Sequence, residues 1–259
     1  DPGIPEVREF IIDTCIEIVE NYDVDAIHFD DYFYANGIDD SETRAKYNTE
    51  GLSVSDFRRK QVDTFIYNLK LELDEFNNRN NRFVQLGISP TGVYKNANSQ
   101  TEANTPIEDY IFDSNGNLVY PTGATTGCQM HYESYLYCDT LKWVNNEWIN
   151  YILPQTYWAQ NHSLAPYERL INWWNQAVSK KNVNLYAGMG IYMWLTNTNE
   201  AYEQLVINDA LEHVKGTSIY SYKQIAAAYN NTDVSAKEQM NDIKNYVWKN
   251  KTILPKIQG

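Results

Sequence analysis

The chain has 259 residues, of which 43% are hydrophobic and 21% charged, and its formal net charge is −13. This length suffices for one large core, since a single α/β barrel uses about 250 residues. So acidic a surface disfavours binding to nucleic acid and to anionic lipid, no apolar run is long enough to span a membrane, and no signal peptide is recognisable.

The predicted helices and strands alternate along the chain. Apolar residues at helical spacing predict helices, and short apolar runs between turn signals predict strands. The predicted helices cover about 6–21, 56–76, 132–146, 166–180, 201–213 and 234–248. The predicted strands cover 24–30, 83–89, 151–157, 183–194 and 216–222. Residues 94–130 are predicted to form a long polar loop insertion with a turn at Asn115-Gly116.

Strands that alternate with helices predict βαβ units and a parallel sheet. About five strands are present, whereas a closed (β/α)8 barrel needs eight, and the chain opens with a helix. We therefore predict one α/β domain over 1–259 that holds the later strands of a TIM barrel, about the fourth to the eighth. A complete five-stranded open sheet is the alternative. The exposed edges of a partial barrel also predict a homo-oligomer, or another segment that fills the gap.

The three cysteines do not predict a disulfide scaffold. Cys15 falls in a helical pattern and is predicted to be a core thiol, whereas Cys128 and Cys138 are a possible but disfavoured pair. The Cys and His positions show no metal-ligand spacing. Neither a metal nor another cofactor is predicted.

The most informative segment is 24–34, an apolar strand that ends in two acids and three aromatic residues. Acids at the end of a buried strand are costly unless they are solvated or paired. Flat rings beside carboxylates suit a sugar site, because rings stack on sugars while carboxylates transfer protons or stabilise charge. The segment therefore predicts the mouth of a parallel barrel, with the acids in it.

Several segments, taken in chain order, resemble motifs of glycosyl-hydrolase-like family 10, a bacterial family of TIM-barrel glycosidase-like proteins formerly called DUF187. They are Asp1-Pro2-Gly3-Ile4-Pro5-Glu6-Val7-Arg8, the segment 24–34, Asp56-Phe57-Arg58-Arg59-Lys60-Gln61-Val62, Gly87-Ile88-Ser89-Pro90-Thr91-Gly92-Val93-Tyr94 and residues 148–158. Two residues depart from the family pattern: Ala26 replaces the usual Gly and Asn150 the usual Asp.

The resemblance implies a TIM-barrel glycoside hydrolase, extracellular or in the cell envelope, as a secreted protein or lipoprotein. Family members are often assigned to cell-envelope glycans, and one characterised relative type cleaves peptidoglycan strands stripped of their peptides. Members carry three further barrel strands before the first of these motifs, in agreement with the strand count.

Hydrolysis of a glycosidic bond takes two carboxyl groups, and Asp30 and Asp31 are the candidate catalytic acids. Residues two apart on a strand share a face, so Asp30 points with His28 into the barrel. Asp30 is therefore the first choice for the carboxylate that stabilises or attacks the anomeric carbon. Asp31 points away unless the chain turns there, and capping the following turn is its alternative role. The other candidates for the second acid are Glu50, Glu102, Glu133 or a residue upstream of this chain.

The remaining site residues are predicted to bind substrate. Gln155 offers hydrogen bonds to hydroxyl groups, and Tyr157 and Trp158 offer stacking, with an aromatic plug of the barrel rim as the alternative. Arg58 and Arg59 begin a helix, where positive charge opposes the dipole, so one of them is predicted to pair with Asp30 or Asp31, with a plain surface role as the alternative. The predicted substrate-binding set is His28, Tyr32, Arg59, Ser89, Gln155, Tyr157, Trp158, Tyr192 and Trp194.

The sequence thus predicts a glycoside hydrolase that cuts a polysaccharide, with peptidoglycan-type glycan favoured, by carboxylate-based acid/base catalysis. A non-catalytic carbohydrate-binding barrel, in which Asp30 only hydrogen-bonds to sugar hydroxyls, is the alternative.

Overall fold

The computed structural model describes residues 1–31, 33–34, 37–133, 136–194 and 199–250. The strands are β1 (Ala26–Phe29), β2 (Gln85–Ile88), β3 (Ile111–Phe112), β4 (Leu118–Tyr120), β5 (Tyr151–Ile152), β6 (Asn184–Gly190) and β7 (Val214–Tyr220). The α-helices are α1 (Pro5–Asn21), α2 (Ser41–Tyr47), α3 (Val54–Asn80), α4 (Gln100–Ala103), α5 (Thr140–Asn145), α6 (Tyr167–Val178), α7 (Glu200–Ala210), α8 (Tyr222–Tyr229) and α9 (Val234–Asp242). Two 3-10 turns, Ile107–Asp109 and Ile191–Trp194, and a π-helical turn, Ile243–Val247, complete these elements.

Within the described ranges the main sheet has five parallel strands in the order β1-β2-β5-β6-β7, so neighbours in the sheet follow the order of the chain. Strands β3 and β4 form a separate antiparallel hairpin. Crossovers between parallel strands are right-handed almost without exception, so a sequential order places all the connecting helices on one side. A doubly wound sheet reverses its strand order. The observed order is therefore compatible with part of a TIM barrel.

The two faces of the main sheet carry different side chains. One face is apolar and packs into the helical core through side chains that are fully buried: Leu86, Ile88, Ile152, Leu185, Ala187 and Met189. Each such large side chain contributes about 1.5–3 kcal/mol by leaving water. The opposite face carries histidine, tyrosines and glycines, and His28 on β1 is exposed there. The candidate site lies on this polar face.

Glycines on the polar face make room for tyrosine rings from the neighbouring strand. A Cβ atom at Gly87 would overlap the Tyr151 ring, and one at Gly190 would lie 2.6 Å from Cγ of Tyr157. Real Cβ atoms do not approach so closely, so a larger residue at either position would displace the ring. Gly190 thus allows Tyr157 to lie across β6.

The predicted helix 132–146 is wrong over most of its length, since only Thr140–Asn145 forms a helix. The described residues before Thr140 form hydrogen bonds with the loop after β2 instead. The backbone N–H groups of His131 and Tyr132 donate to the carbonyl oxygens of Val93 and Tyr94 (3.1 and 3.0 Å). Tyr137 has a positive φ of 52°, and the N–H group of Cys138 donates to the carbonyl oxygen of His131 (2.8 Å), seven residues earlier, whereas an α-helix needs a bond to the fourth residue before it.

The predicted strands lie where they were expected but are shorter. Of the predicted strand 151–157 only Tyr151–Ile152 is regular, because Pro154 has no N–H group for a ladder. The predicted strand 183–194 ends at Gly190. The polar loop 94–130 contains α4 and the β3–β4 hairpin, and Gly116 has a positive φ of 76° in the expected turn.

The three cysteines, Cys15, Cys128 and Cys138, are free thiols. No helix in the described ranges combines the length and the apolar character needed to cross a membrane.

Candidate active site

Asp30 lies directly after β1, exposed at the carboxyl end of the sheet. Its Oδ1 accepts a hydrogen bond from Nε2 of Gln155 (2.8 Å) and a longer one from the Ser89 hydroxyl (3.4 Å). No side chain in the described part of the chain donates to Oδ2. One carboxylate oxygen is therefore fixed, and the other is available to a ligand.

Gln155 is held in place by its own backbone and side chain. It bridges the extensions of β2 and β6 through isolated parallel pairings with Thr91 and Gly188. Its N–H donates to the carbonyl oxygen of Pro90 (2.8 Å), and its Nε2 also donates to the carbonyl oxygen of Ser89 (2.8 Å). This amide therefore fixes Asp30 from a rigid part of the sheet.

His28 continues the hydrogen-bond network one layer below Asp30. Its Nε2 lies 2.9 Å from Oγ of Ser89, and its Nδ1 lies 3.0 Å from the hydroxyl of Tyr151, on whose ring it stacks. Although the residue is exposed, partial desolvation of its imidazole lowers the pKa of His28, and the charge of Asp30 acts in the opposite direction. With the Ser89 hydroxyl donating to Asp30, Nε2–H donates to Ser89 and Nδ1 accepts from Tyr151.

Asp31 lies in different surroundings from Asp30. It is only 9% exposed, and burial first, then the neighbouring charge of Asp30, raise its pKa. Asp31 also contributes, after burial, to the raised pKa of the Cys138 thiol, which belongs to the core behind the sheet. The two acids therefore lie in different environments.

Three tyrosine rings meet at the carboxyl ends of β5, β6 and β7. Tyr157 stacks on Tyr220 with centroids 5.7 Å apart, and Tyr192 packs edge-on against both, at 6.1 Å from Tyr157 and 5.8 Å from Tyr220. Burial, and next the charge of Asp30, raise the pKa of Tyr157. Tyr157 and Tyr192 were predicted site residues, whereas Tyr220 was not.

Tyr220 was missed because the last strand was predicted to continue to residue 222, which placed Tyr220 before its end. In the structure β7 ends at Tyr220. Its register places Ser218 opposite Gly188 and Tyr220 opposite Gly190, which belong to the polar face. The alternation of Gly216, Ser218 and Tyr220 was the signal that would have identified it.

The other aromatic candidates differ in position. Trp158 packs against Gly92, whose added Cβ would lie 2.8 Å from its ring, and against the ring of His162. These contacts place Trp158 beside the loop after β2, apart from the three tyrosines. Tyr32 and the side chain of Trp194 lie outside the described residues.

The prediction that Arg58 or Arg59 pairs with one of the two candidate acids is wrong. Arg58 binds Asp40 with two hydrogen bonds of 2.8 Å each. Arg59 donates to Asp56 (2.6 Å) and to the carbonyl oxygen of Tyr132 (3.0 Å). Asp56 lies one helical turn before Arg59, so their pairing is local. Arg58 thus binds the loop before α2, and Arg59 binds the loop before α5.

The three loop acids differ in their surroundings. Glu102 is buried, and although burial raises its pKa, hydrogen bonds from Thr122 and Asn98 lower it overall. An ionised, fully bonded carboxylate is unsuited to donate a proton. Glu50 forms an ion pair with Lys60. Glu133, in the loop before α5, remains a candidate. Among the described residues, no group of three or more His, Cys, Asp and Glu is placed to hold a metal ion.

His131 holds the loop after β2 against α5. Its Nδ1–H donates to the carbonyl oxygen of Thr91 (2.9 Å), and its Nε2 accepts from the hydroxyl of Thr140 (2.7 Å). Burial lowers the pKa of His131 to about 3, although backbone hydrogen bonds oppose this. The imidazole is therefore neutral at physiological pH.

This neutral histidine predicts a loss of stability in acid. An unfolded histidine takes up a proton below about pH 6.5, whereas the folded one does so only near pH 3. The free energy of unfolding should therefore fall by up to about 1.4 kcal/mol per pH unit within this window because of His131. Denaturant titrations between pH 7 and pH 4 measure this dependence. The free energy of unfolding of His131→Gln should change with pH less steeply than that of the parent, by the contribution of one proton. His213→Gln, at a less buried position, should keep the slope, and equal slopes in both variants would refute the prediction.

The family described as glycosyl hydrolase-like 10 matches residues 1–206 of the chain. The chain belongs to the glycosyl hydrolase-like 10 family. It is 32% identical over 237 residues to "Glycosyl hydrolase YngK" of Bacillus subtilis (strain 168), a match over 86% of this chain and 42% of that protein. It is also 32% identical over 237 residues to "Glycosyl hydrolase DigH" of Escherichia coli O6:H1, over 85% of this chain and 48% of that protein.

This glycosyl hydrolase-like 10 chain spans less than half the length of these curated relatives. Membership confirms the resemblance inferred from the motifs and supports a glycosidase-like function. The family match contains Asp30, Ser89 and Gln155. Strand β7, with Tyr220, follows residue 206 and lies outside that match.

Proposed function

We propose that this protein is a glycoside hydrolase that cuts a cell-envelope polysaccharide, with a peptidoglycan-type glycan as the favoured substrate. Such a substrate puts the protein outside the cell or in its envelope. The observation that carries the proposal is the Asp30 carboxylate, exposed at the mouth with one oxygen held by Gln155 and Ser89. Membership of a glycosyl hydrolase-like family supports the same chemistry.

Asp30 is proposed to attack or stabilise the anomeric carbon through its free oxygen. The transition state of glycoside hydrolysis carries positive charge on the sugar ring. A carboxylate already oriented by Gln155 needs no rearrangement as that charge develops, which is the usual source of electrostatic catalysis. His28 and Tyr151 stabilise the same arrangement from below through Ser89.

A second carboxyl group has to protonate the leaving oxygen. Asp31 has the raised pKa that a proton donor needs, but it is buried. Glu133 lies in a loop at the mouth and has no such obstacle of burial in the core. We propose that the donor is one of these two or a carboxyl group on barrel strands beyond these five.

We also propose that the five strands are the later part of an eight-stranded barrel. Their sequential parallel order supports this, as do the two sheet edges at β1 and β7. Open edges of parallel strands offer unpaired backbone groups. Further strands of the same protein, or a second copy, would satisfy those groups.

The test of the proposed function is an assay on peptide-free peptidoglycan strands, with new reducing ends and shortened glycans as the readout. We expect turnover by the parent protein and by Asp25→Asn, an exposed acid at the opposite end of β1. Absence of cleavage on these strands and on a panel of other polysaccharides, in a folded protein that carries its native flanking sequence, would contradict a hydrolase function.

Gln155→Ala is expected to lower kcat/KM by about tenfold to a hundredfold, since a hydrogen bond to a charged group is worth about 1.5–3 kcal/mol. The loss should fall mainly on kcat, because Gln155 orients Asp30 and a misplaced carboxylate reacts slowly. Initial rates over a range of glycan concentrations measure this. Gln85→Ala, at the amino end of β2, is the matched control and should keep the parent rate. Equal rates for both variants would remove Gln155 from the site.

A further inference from the structure

The rings of Tyr157, Tyr192 and Tyr220, here called the tyrosine platform, form one aromatic surface at the mouth. The rings touch in all three pairs, with centroids 5.7 to 6.1 Å apart. Each ring comes from the end of a different strand region, so the platform spans three adjacent units of the sheet. Its position near Asp30 follows from Gln155, which donates to Asp30 (2.8 Å) and lies two residues before Tyr157 in the chain.

The platform remains largely open to solvent. Tyr192 is 41% exposed and Tyr220 is 54% exposed. Tyr157 is more buried, and the absence of a side chain at Gly190 lets it lie across β6. Tyr220 stacks on the inner Tyr157 ring and Tyr192 stands edge-on to both, so Tyr220 and Tyr192 form the exposed part of the aromatic surface. Contiguous exposed apolar surfaces of this kind mark binding sites.

Tyr220 lies outside the hydrophobic core of the described residues. It belongs to the edge strand β7, and its ring contacts among the described residues are the two other platform tyrosines. Its stack on Tyr157 leaves 54% of its surface exposed, whereas the core rings of Trp173 and Trp174 are buried.

We propose that the tyrosine platform is a carbohydrate subsite, which binds a pyranose neighbouring the sugar processed at Asp30, and that Tyr220 is a binding residue in it. The ligand class is a β-linked glycan of pyranoses with equatorial hydroxyl groups. Such sugars present axial C–H groups as a flat apolar face toward an aromatic ring, while their equatorial hydroxyls reach the platform rim. This subsite rests on the proposed function, because Asp30 defines the neighbouring position.

The test is calorimetric titration with the β-1,4-linked tetrasaccharide of N-acetylglucosamine, in an Asp30→Asn background that prevents turnover. Tyr220→Ala should weaken the Kd by about tenfold, the magnitude of one aromatic contact. Tyr220→Phe keeps the ring and should bind within about twofold of the parent. Tyr229→Ala is the matched control, because that ring is 86% exposed on α8 and outside the platform. Its affinity should equal the parent's.

Unchanged affinity in Tyr220→Ala, with unchanged thermal unfolding, would overturn the subsite. So would a loss that Tyr220→Phe shares, or absence of tetrasaccharide binding to the parent. The proposed function is judged separately by hydrolysis. If Asp30→Asn still cleaves glycan while Tyr220→Ala binds weakly, the subsite stands and the role of Asp30 falls. If Asp30→Asn is inactive and Tyr220→Ala binds normally, the subsite alone falls.

Discussion

Asp30→Asn should abolish glycan hydrolysis, by about a thousandfold or more, and leave glycan binding within about threefold of the parent. The substitution removes the negative charge that would stabilise or attack the anomeric centre. It keeps the side-chain shape, and its oxygen can still accept the hydrogen bond from Gln155 that fixes Asp30 now. A thousandfold loss corresponds to about 4 kcal/mol of transition-state stabilisation.

Reducing-end assays for rate and calorimetry for binding separate the two effects. Asp25→Asn serves as the control, because it removes the same charge from the same strand at its other end. Full activity in Asp30→Asn would exclude Asp30 from the chemistry. The parent protein, supplied with its native flanking sequence, could instead bind glycan without turnover. That result would favour a carbohydrate-binding barrel, in which Asp30 only accepts hydrogen bonds from sugar hydroxyls.

Asp40→Ala should destabilise the fold by about 3–5 kcal/mol, the range for removing one partner of a buried ion pair. Asp40 is 1% exposed. Its carboxylate accepts hydrogen bonds from Arg58 (2.8 Å), Arg44 (3.0 Å) and the Tyr34 hydroxyl (2.9 Å). The Arg58 guanidinium also packs on the Tyr34 ring. Removal of the acid takes away the buried carboxylate that pairs with both guanidinium groups.

Denaturant unfolding at pH 7 measures this loss. Glu42→Ala, which removes an exposed acid from α2, should change stability by less than about 0.5 kcal/mol. A similarly small effect of Asp40→Ala would show that the network does not stabilise the fold.

The stabilisation by Asp40 should also depend on pH. Hydrogen bonds from Arg58, above all, hold the pKa of Asp40 far below its usual range. A depressed folded pKa gives stability that is complete above the unfolded value of about 3.9 and is lost as pH falls toward the folded pKa. The difference between parent and Asp40→Ala should therefore stay constant above about pH 5 and shrink below pH 4.

The local pattern of apolar residues predicted most helices and strands of this fold, because the formation of these elements depends on residues that are close in the sequence. The helical spacing of apolar residues located α1, α3, α6 and α7, and the short apolar runs located the five parallel strands. The helix predicted before Thr140 failed for the opposite reason. His131 and Tyr132 give their N–H groups to a segment about 40 residues earlier, which no local period reveals.

The candidate site likewise has features that the sequence predicted and features that only the tertiary structure shows. Strand alternation and motif resemblance, both readable from the sequence alone, placed Asp30 on the same face as His28 and placed Ser89, Gln155 and Tyr157 at strand ends. Only the tertiary structure shows that Gln155 donates a hydrogen bond to Asp30, 125 residues away in the sequence. It also shows that Arg58 and Arg59 pair with other acids and that Tyr220 stacks on Tyr157. Periodicity determines which face a side chain occupies. Its partner depends on the register between strands and on the path of loops far away in the chain, and these are settled when the sheet and its helices pack.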